Sequence, residues 1–511
     1  MTAREYHDRT THSPASVRTS GHTLEWDIKP FPFKVYTELE AIALPREIDA
    51  LGVDTLAVLA APARAVASLG LSQFTAVLYY AAGVTKKKTY PGGGEVLFRA
   101  AASTGALYQT EVYVAVGEVT GLEPGLYHFC PGDFALRRLR AGDVRAALAA
   151  AAADDSIARR PATLVLTAIY WRNAWKYQAR AYRHLFWDSG TMLANVLAVG
   201  GALGLAPTVL TGFVDLELNR LLGLEPTREV ALELVALGPE GAAAPPATAL
   251  EPIEHAIMPL SSSEVDYPLI REMHAASSLA TAAAVAAWRE GAWRDTTPAT
   301  SAKLVALPPP RERAGRGLGE TIQRRGSTRE FGHTPLTSDE LATALWAASR
   351  AFDADVPGGL VDLYLIANAV DGVPPGAYFY RPDAHGLETL AAGELRNRSA
   401  YLCLEQPLGG DAAAVIYWLT RLDALTRAFG DRGYRLANLE AGLAGGRAYL
   451  AAYAQGFGAS GLTFYDGHVV DFFSPHAAGK DAIFVTALGR SGVGGRVTIE
   501  SNLTARRRPS A

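Results

Sequence analysis

Two arginines and a serine alternate within a short stretch just past the middle of the chain. Arg325, Ser327 and Arg329 place two guanidinium groups and one hydroxyl on the same turn or strand. Guanidinium groups donate paired, charge-assisted hydrogen bonds to phosphate oxygens, so this cluster suits a phosphate monoester. The alternative is an exposed basic turn that binds nothing. The cluster alone leaves both interpretations open.

A lysine and a tyrosine stand side by side at positions 176 and 177. Lys176 and Tyr177 can each give or take a proton, and burial lowers the pKa of a lysine toward the range in which it acts as a base. The alternative is a surface lysine beside a tyrosine that only packs. The residue types therefore indicate proton transfer without establishing it.

A loop of small residues is the third candidate. Ser103, Thr104 and Gly105 follow three alanines, and small hydroxyl residues and glycine let the backbone approach a flat ligand closely. The alternative is a serine and threonine that simply begin a helix.

The elements that must position these residues occur twice in the chain. Residues 121–145 match residues 372–396 at a constant separation of 251 positions. The match resumes at 252 positions, where Arg180, Tyr182 and Arg183 face Arg432, Tyr434 and Arg435. A register kept over so long a stretch indicates an internal repeat, so the chain contains one domain written twice.

The two copies differ at the residues that could do chemistry. In copy two, Ala428 and Phe429 stand where copy one has the lysine–tyrosine pair, and the loop of small residues is shortened to 356–360. Copy one keeps a single arginine, Arg46, in the segment that we match to the alternating cluster. The sequence therefore predicts one composite site, with the basic cluster from copy two and the remaining groups from copy one.

The patterning predicts an α+β fold, with a sheet in each copy and helices packed over it. We expect an N-terminal arm at 1–35, domains at 36–240 and 313–511, and between them a linker at 241–312 with a bridging helix at 269–288. Helices are predicted at 188–203, 336–349 and 437–456. Strands are predicted at 111–116, 163–167, 363–367 and 483–488.

Bulk composition narrows the class of protein. A net charge of −4 favours neither nucleic acid nor an acidic membrane as a partner. Two cysteines form no disulfide framework and no metal set, and the first thirty residues contain no apolar run, so we expect a cytoplasmic protein. Residues 189–214 carry no charge, yet glycines and a proline interrupt them, which favours a helix buried between the two domains over a membrane span.

Together these elements resemble the nitroreductase superfamily of flavin enzymes, and within it the SagB-type branch that includes azoline dehydrogenases. The motif at 325–331 is similar to the family's FMN-phosphate motif, and residues 102–107 resemble its flavin-edge loop, with Ala102 in place of a proline. Residues 176–183 resemble the lysine–tyrosine segment of the azoline dehydrogenases. Residues 6–12 resemble a short leader of the same branch.

The resemblance implies a site as well as a fold. Family members are dimers that bind FMN at the subunit interface, so this chain would be an internal pseudo-dimer with one FMN between its copies, and a monomer or a weak homodimer. The implied catalytic residues are Lys176 and Tyr177. The implied cofactor-binding residues are Arg325, Ser327, Arg329, Ser103, Thr104, Gly105, Gln406, Gly461, Thr463, Phe464 and Arg490.

The resemblance also implies hydride transfer from an azoline or peptide-like substrate to flavin N5, with dioxygen or another acceptor reoxidising the flavin. Small molecules or peptides are the expected substrates, and other biosynthetic enzymes are the expected protein partners. Two alternatives stay open. One is an NAD(P)H-dependent nitro- or quinone reductase, and the other is a non-catalytic partner protein that keeps the flavin fold.

Overall fold

The computed structural model of the protein describes residues 1–61, 68–89, 95–247, 250–293 and 304–492, together with the backbone of 506–507. The N-terminal region contains α1 (Ala3–Arg9) and α2 (Pro14–Thr19). Copy one then contains β1 (Ile42–Ala43), β2 (Glu47–Ile48), α3 (Thr55–Ala60), α4 (Leu71–Ala82), β3 (Val84–Thr89), β4 (Glu95–Arg99), β5 (Thr110–Val116), β6 (Gly125–Cys130), β7 (Ala135–Ala141), α5 (Arg145–Ala152), β8 (Ala162–Ile169), α6 (Tyr170–Tyr177), α7 (Ala181–Ala202), β9 (Thr208–Leu210), α8 (Asp215–Leu222) and β10 (Glu229–Leu237).

The connecting region contains α9 (Pro268–Ala276) and α10 (Ala282–Arg289). Copy two contains β11 (Leu304–Ala306), α11 (Leu318–Arg324), β12 (Leu336–Thr337), α12 (Ser338–Ala348), β13 (Asp362–Ala367), β14 (Val370–Asp371), β15 (Gly376–Arg381), β16 (Gly386–Ala392), α13 (Arg396–Leu402), α14 (Pro407–Asp411), β17 (Ala414–Thr420), α15 (Leu422–Phe429), α16 (Gly433–Gln455), β18 (Gly458–Gly461), α17 (Asp466–Phe473) and β19 (Asp481–Gly489). A last strand, β20 (Arg506–Arg507), pairs with β2 of copy one.

The two copies build the same sheet. Copy one orders its strands β1-β7-β6-β5-β8-β10-β9, and copy two orders the matching strands β11-β16-β15-β13-β17-β19-β18. The predicted repeat and the predicted α+β fold are therefore confirmed. Copy one also contains the hairpin strands β3 and β4, which have no counterpart among the described residues of copy two.

The two longest helices pack against each other at the centre of the molecule. A Cβ atom on Gly190 of α7 would lie 2.4 Å from the carbonyl oxygen of Leu439, and one on Gly442 of α16 would lie 2.4 Å from that of Trp187. Only glycine permits so close a backbone approach, which explains why both copies carry it at this position. Helix α7 is buried along nearly its whole length, which confirms the helix predicted between the two domains.

Reciprocal ion pairs join the copies on both sides of this helix crossing. Asp466 of copy two accepts hydrogen bonds from Arg180 and Arg183 of copy one. Asp215 of copy one accepts the equivalent bonds from Arg432 and Arg435 of copy two. The repeated arginines are thus explained by an intrachain pseudo-dimer interface.

The N-terminal arm packs against both copies, because Tyr6 of α1 is fully buried between the rings of Tyr182 and Tyr434. The connecting region differs from the expected single bridging helix. The bridge is not one helix but two, α9 and α10, because the backbone of Leu279 leaves the helical path to donate to Asp215. Strand β11, within the stretch we took as linker, joins the second sheet beside β16.

No helix in the described ranges has the length and apolar character needed to cross a membrane.

Candidate flavin site

A cavity of about 430 Å³ lies between the two copies, beside the helix crossing. Both copies contribute to its wall, as the composite-site prediction requires. Copy one contributes Ala102, Ser103, Thr104, Gly105, Lys176, Tyr177, Trp187, Asp188 and Thr191, and copy two contributes Ser327, Arg329, Gln406, Leu408, Tyr449, Gly461, Leu462, Thr463 and Phe484.

The basic cluster begins where helix α11 ends at Arg324. Its backbone then extends along strand β18, since the Thr328 amide donates to the carbonyl of Ala459 over 2.9 Å. This anchoring turns Ser327 and Arg329 toward the cavity, and the Ser327 hydroxyl lies 3.3 Å from the hydroxyl of Tyr449. A hydroxyl and a guanidinium of the predicted cluster therefore face the cavity together.

Arg325 has a different position from the one we expected. Its buried guanidinium donates to the backbone carbonyls of Arg99, Ala100 and Ala101 in copy one, at 2.9–3.2 Å, and it does not line the cavity. Lys86 of hairpin β3–β4 makes the converse contact, donating to the Arg325 carbonyl over 2.6 Å. Arg325 thus joins the cluster to the start of the loop of small residues.

Two further predicted residues lie outside the cavity wall. Arg490 forms an ion pair with Glu340 at 2.8 Å, so its charge is already neutralised by a carboxylate of copy two. Phe464 is fully buried behind the wall, where the Arg180 guanidinium lies 5.2 Å from its ring centroid. Gln406, Gly461 and Thr463 do line the cavity, and the Gln406 amide donates to the Thr463 hydroxyl over 2.9 Å.

Lys176 and Tyr177 reach the cavity from the last turn of α6. Burial, together with the positive charges of Arg329 and Lys29, lowers the pKa of Lys176. Burial and the nearby Asp188 carboxylate raise the pKa of Tyr177 well above its usual value. The two shifts have opposite consequences. The lowered pKa leaves more of the lysine neutral and able to take a proton near neutral pH, whereas the raised pKa makes the tyrosine a weaker acid.

Several residues of the wall were not predicted from the sequence. Asp188 binds the loop of small residues, and Trp187 and Phe484 supply aromatic surface with ring centroids 5.2 Å apart. The Tyr449 hydroxyl accepts from the Gly461 backbone amide over 2.6 Å. One signal was available: Asp188 and Glu440 are both carboxylates and stand 252 positions apart, in register with the repeated arginines.

The equivalent position on the other side of the crossing is built differently. The strand pairing shows which residues correspond. Val209 pairs with Val235 in copy one, and Gly461 pairs with Thr486 at the same place in copy two. Two residues further along, Thr211 is therefore the counterpart of Thr463. The backbone amides of Thr211 and Gly212 both donate to the carboxylate of Asp355, at 2.8 and 2.9 Å. This carboxylate precedes the shortened loop of copy two. Because it already accepts from both amides, they do not face an open cavity.

Helix α10 of the connecting region also enters this second position. Trp288 packs on Phe429, the counterpart of Tyr177, and donates to its carbonyl over 2.9 Å. A Cβ atom on Gly212 would lie 2.8 Å from the Trp288 ring. Arg289 donates to Gly212 and Asp355, so side chains of the protein fill the space beside these backbone groups.

The counterpart of the basic cluster in copy one also needs correction. Arg46 is exposed between β1 and β2, where it donates to the Asp133 carbonyl over 3.3 Å, and it precedes α3. Because the cluster follows α11, the matching stretch follows α3 and falls largely on 62–67, outside the described residues.

Comparison with known proteins agrees with this architecture. The sequence profile of the nitroreductase family matches residues 65–238 and again residues 322–474. The chain belongs to the nitroreductase family. The two matched segments fall in the two copies, which confirms the tandem arrangement.

Three related proteins extend the comparison. A nitroreductase-like protein of Methanocaldococcus jannaschii is 30% identical over 161 residues, which cover 30% of this chain and 81% of the relative. The trifolitoxin-processing protein TfxB of Rhizobium leguminosarum bv. trifolii is 30% identical over 173 residues, covering 32% of this chain but only 46% of TfxB. A solved nitroreductase-like structure from Anabaena variabilis is 26% identical with a TM-score of 0.76, covering 96% of this chain and 99% of that one.

Proposed function

We propose that this nitroreductase-family oxidoreductase binds FMN in the cavity between its copies and dehydrogenates an azoline or a similar peptide-like substrate. The observation that carries the proposal is the composite wall, which combines Ser327 and Arg329 of copy two with Gly105 and Lys176 of copy one. Flavin binding is typical of the family. The family supports an oxidoreductase, and the choice of FMN and substrate is our inference.

The donors in the cavity wall fit this cofactor. Ser327 and Arg329 suit a phosphate monoester, because a hydroxyl and a guanidinium donate to its oxygens. Gly105 lacks a side chain that would block a flat ring, and Thr463 and Gln406 add polar groups at the wall. When bound, the flavin supplies a two-electron acceptor that no amino-acid side chain provides.

The protein supplies the base. Oxidation of a thiazoline to a thiazole removes a hydride from one ring carbon and a proton from the other. Lys176 is the group whose pKa is lowered, so more of it is neutral and able to take that proton. Tyr177 has a raised pKa and keeps its own proton, so we assign it the role of packing against Gly105.

Both a relative and the site itself support the proposed class of substrate. TfxB is named as a processing protein for trifolitoxin, which supports a peptide-like substrate for this chain. A general base is also needed for azoline oxidation and not for the reduction of a quinone by NAD(P)H. The lysine–tyrosine pair, absent from copy two, is the feature that favours the dehydrogenase.

The second position supports one flavin per chain. Asp355 would bring its carboxylate against the flavin, and Trp288 and Arg289 would have to leave before a ring could enter. Glu233 is fully buried in the strand position that Phe484 occupies in the first site, which replaces an aromatic wall by a carboxyl group. We therefore infer one FMN in each 511-residue chain.

The decisive experiment compares the wild type with Lys176→Ala, using a synthetic peptide that carries a single thiazoline. Wild type should convert it to the thiazole, with the loss of two hydrogen atoms detected by mass spectrometry. The variant should stay yellow and lose about 100-fold or more in rate, as expected for a missing general base. Lys88→Ala is the matched control, because Lys88 is half-buried in β3 and does not line the cavity, and it should keep the wild-type rate.

Other outcomes separate the alternatives. An unchanged rate for Lys176→Ala would remove the lysine from the mechanism. Rapid bleaching of the flavin by NAD(P)H under anaerobic conditions, with no thiazoline turnover, would favour the reductase. A colourless protein that takes up no added FMN would favour the non-catalytic partner protein.

A further inference from the structure

One buried carboxylate of helix α7 accepts hydrogen bonds from both hydroxyl residues at the start of the loop of small residues. Asp188 accepts from the Ser103 hydroxyl at 2.5 Å, from the Thr104 hydroxyl at 2.7 Å and from the Thr104 amide at 2.8 Å. The Gln109 side-chain amide, at the far end of the loop, donates to the same carboxylate over 2.7 Å. Both ends of the loop are thus tied to one residue.

The loop needs such a restraint because its backbone is strained. Ala106 and Tyr108 adopt left-handed conformations with φ of 55° and 53°, which residues with a Cβ atom avoid. Gly105 also has a positive φ, and a Cβ atom there would lie 2.9 Å from the Tyr177 hydroxyl. The loop therefore holds its place against Tyr177 only while surrounding contacts determine its conformation.

The repeat provides an internal comparison. Glu440 of α16 stands 252 positions after Asp188, and it accepts from the backbone amide of Leu360 at 2.8 Å, in the shortened loop of copy two. The same device therefore restrains both loops, but only the loop of copy one lines the cavity. Glu440 is consequently a control with the same chemistry at the position without a flavin.

We propose that Asp188 is a positioning residue that holds residues 102–109 in the conformation that binds the flavin. This role rests on the flavin site proposed above. Asp188 would affect flavin binding by holding the loop in place. Asn cannot replace the carboxylate. Both carboxylate oxygens accept from donors, so the NH₂ group of Asn would face a donor in either orientation of the amide. The Thr104 amide donates toward both oxygens, at 3.0 and 2.8 Å.

The test compares Asp188→Asn with Glu440→Gln in full-length protein, with FMN as the probe. Asp188→Asn should weaken FMN binding by about 10- to 100-fold, since at least one charge-assisted hydrogen bond is lost. The absorption band and circular dichroism of any bound flavin should also change. Glu440→Gln should leave both the affinity and the flavin spectrum unchanged, and equal effects of the two variants would overturn the proposal.

A double-mutant cycle identifies the loop as the intermediary. Thr104→Val removes one donor to Asp188, so its effect on FMN affinity should be much smaller in the Asp188→Asn background than in the wild type. Fully additive effects would contradict positioning through Thr104.

Hydrogen exchange tests the restraint without any flavin. In the apo protein, Asp188→Asn should speed exchange of the amides of residues 104–109, and Glu440→Gln should not. Unchanged exchange in Asp188→Asn would overturn the proposal even if FMN binds. A wild type that binds no FMN would overturn the proposed flavin site, while the exchange result would still decide whether Asp188 restrains the loop.

Discussion

The reciprocal ion pairs between the copies predict a large loss of stability when one of their carboxylates is neutralised. Asp466 is 2% exposed and accepts from Arg183 at 2.6 Å and from Arg180 at 3.0 Å. The His12 amide donates to it as well, over 2.8 Å. Asp466→Asn keeps the shape of the side chain but leaves two buried guanidinium groups without a counter-charge.

The size of the effect follows from these contacts. Removing one partner of a buried ion pair costs about 3–5 kcal/mol, because the remaining charge stays buried and unpaired. Since Asn retains one acceptor oxygen, we expect about 3 kcal/mol. Urea denaturation of the apo protein, followed by circular dichroism, measures the free energy of unfolding. A loss below about 1 kcal/mol would refute the interpretation of this cluster as an essential interface.

The pH dependence supplies a second measurement on the same variant. Burial would raise the pKa of Asp466, but the charges of Arg180 and Arg183 outweigh it and hold the pKa far below its ordinary value. The folded-state pKa is therefore depressed, so the carboxylate contributes stability above the unfolded pKa of about 3.9 and loses it as pH falls further. Asp466→Asn should flatten this acid limb.

Asp215→Asn is the matched control for a flavin readout. Asp215 binds Arg432 and Arg435 as Asp466 binds its own pair, but it lies on the side of the second position. Both variants should lose similar stability. Only Asp466→Asn should weaken FMN binding, because Arg180 follows Tyr177 closely along the chain, and an equal effect of the two variants on FMN would contradict this asymmetry.

Three further predictions concern pH, a buried acid and stoichiometry. For wild type acting on the thiazoline peptide, kcat/KM should rise with pH until the lowered pKa of Lys176 is passed, and a flat profile would contradict its role as base. Burial raises the pKa of Glu233 to about 8, so folding takes up a proton between about pH 4.3 and pH 8. The free energy of unfolding therefore falls as pH rises across that window, and Glu233→Leu should remove this fall in urea titrations. Flavin released from pure protein should amount to one per chain, and two flavins per chain would refute the composite site. The flavin should be lost in Arg325→Ala, which removes the bonds that join the basic cluster to the start of the loop, but not in Arg46→Ala.

Oligomeric state stays a prediction. The pseudo-dimer interface is already formed within the chain, so we expect a monomer or a weak homodimer, and light scattering can measure this directly.

Much of the fold could be predicted because the repeat is visible in the residues themselves. Gly190 and Gly442 keep their register, and each is required where the two central helices meet. The capping box of α12, from Thr337 to Glu340, also formed as its local pattern indicates. Helix starts and strand patterns depend on neighbours along the chain, which are legible without a structure.

The partners of buried polar groups could not be predicted in the same way. Arg325 belongs to a phosphate-type motif, yet it donates to carbonyls more than two hundred residues earlier in the chain. Arg490 pairs with Glu340, and the break between α9 and α10 depends on Asp215. Each of these contacts joins segments that are distant in sequence, and no local pattern specifies them.

The sequence by itself determined that the chain has two like halves and that their chemistry is unequal, because spacing and residue type are local properties. Only the tertiary structure decided that Asp188 restrains the loop at the cavity and that Trp288 and Asp355 fill the equivalent position. Burial is the physical reason. A polar group removed from water must find a partner, and packing, rather than order along the chain, decides which partner is near.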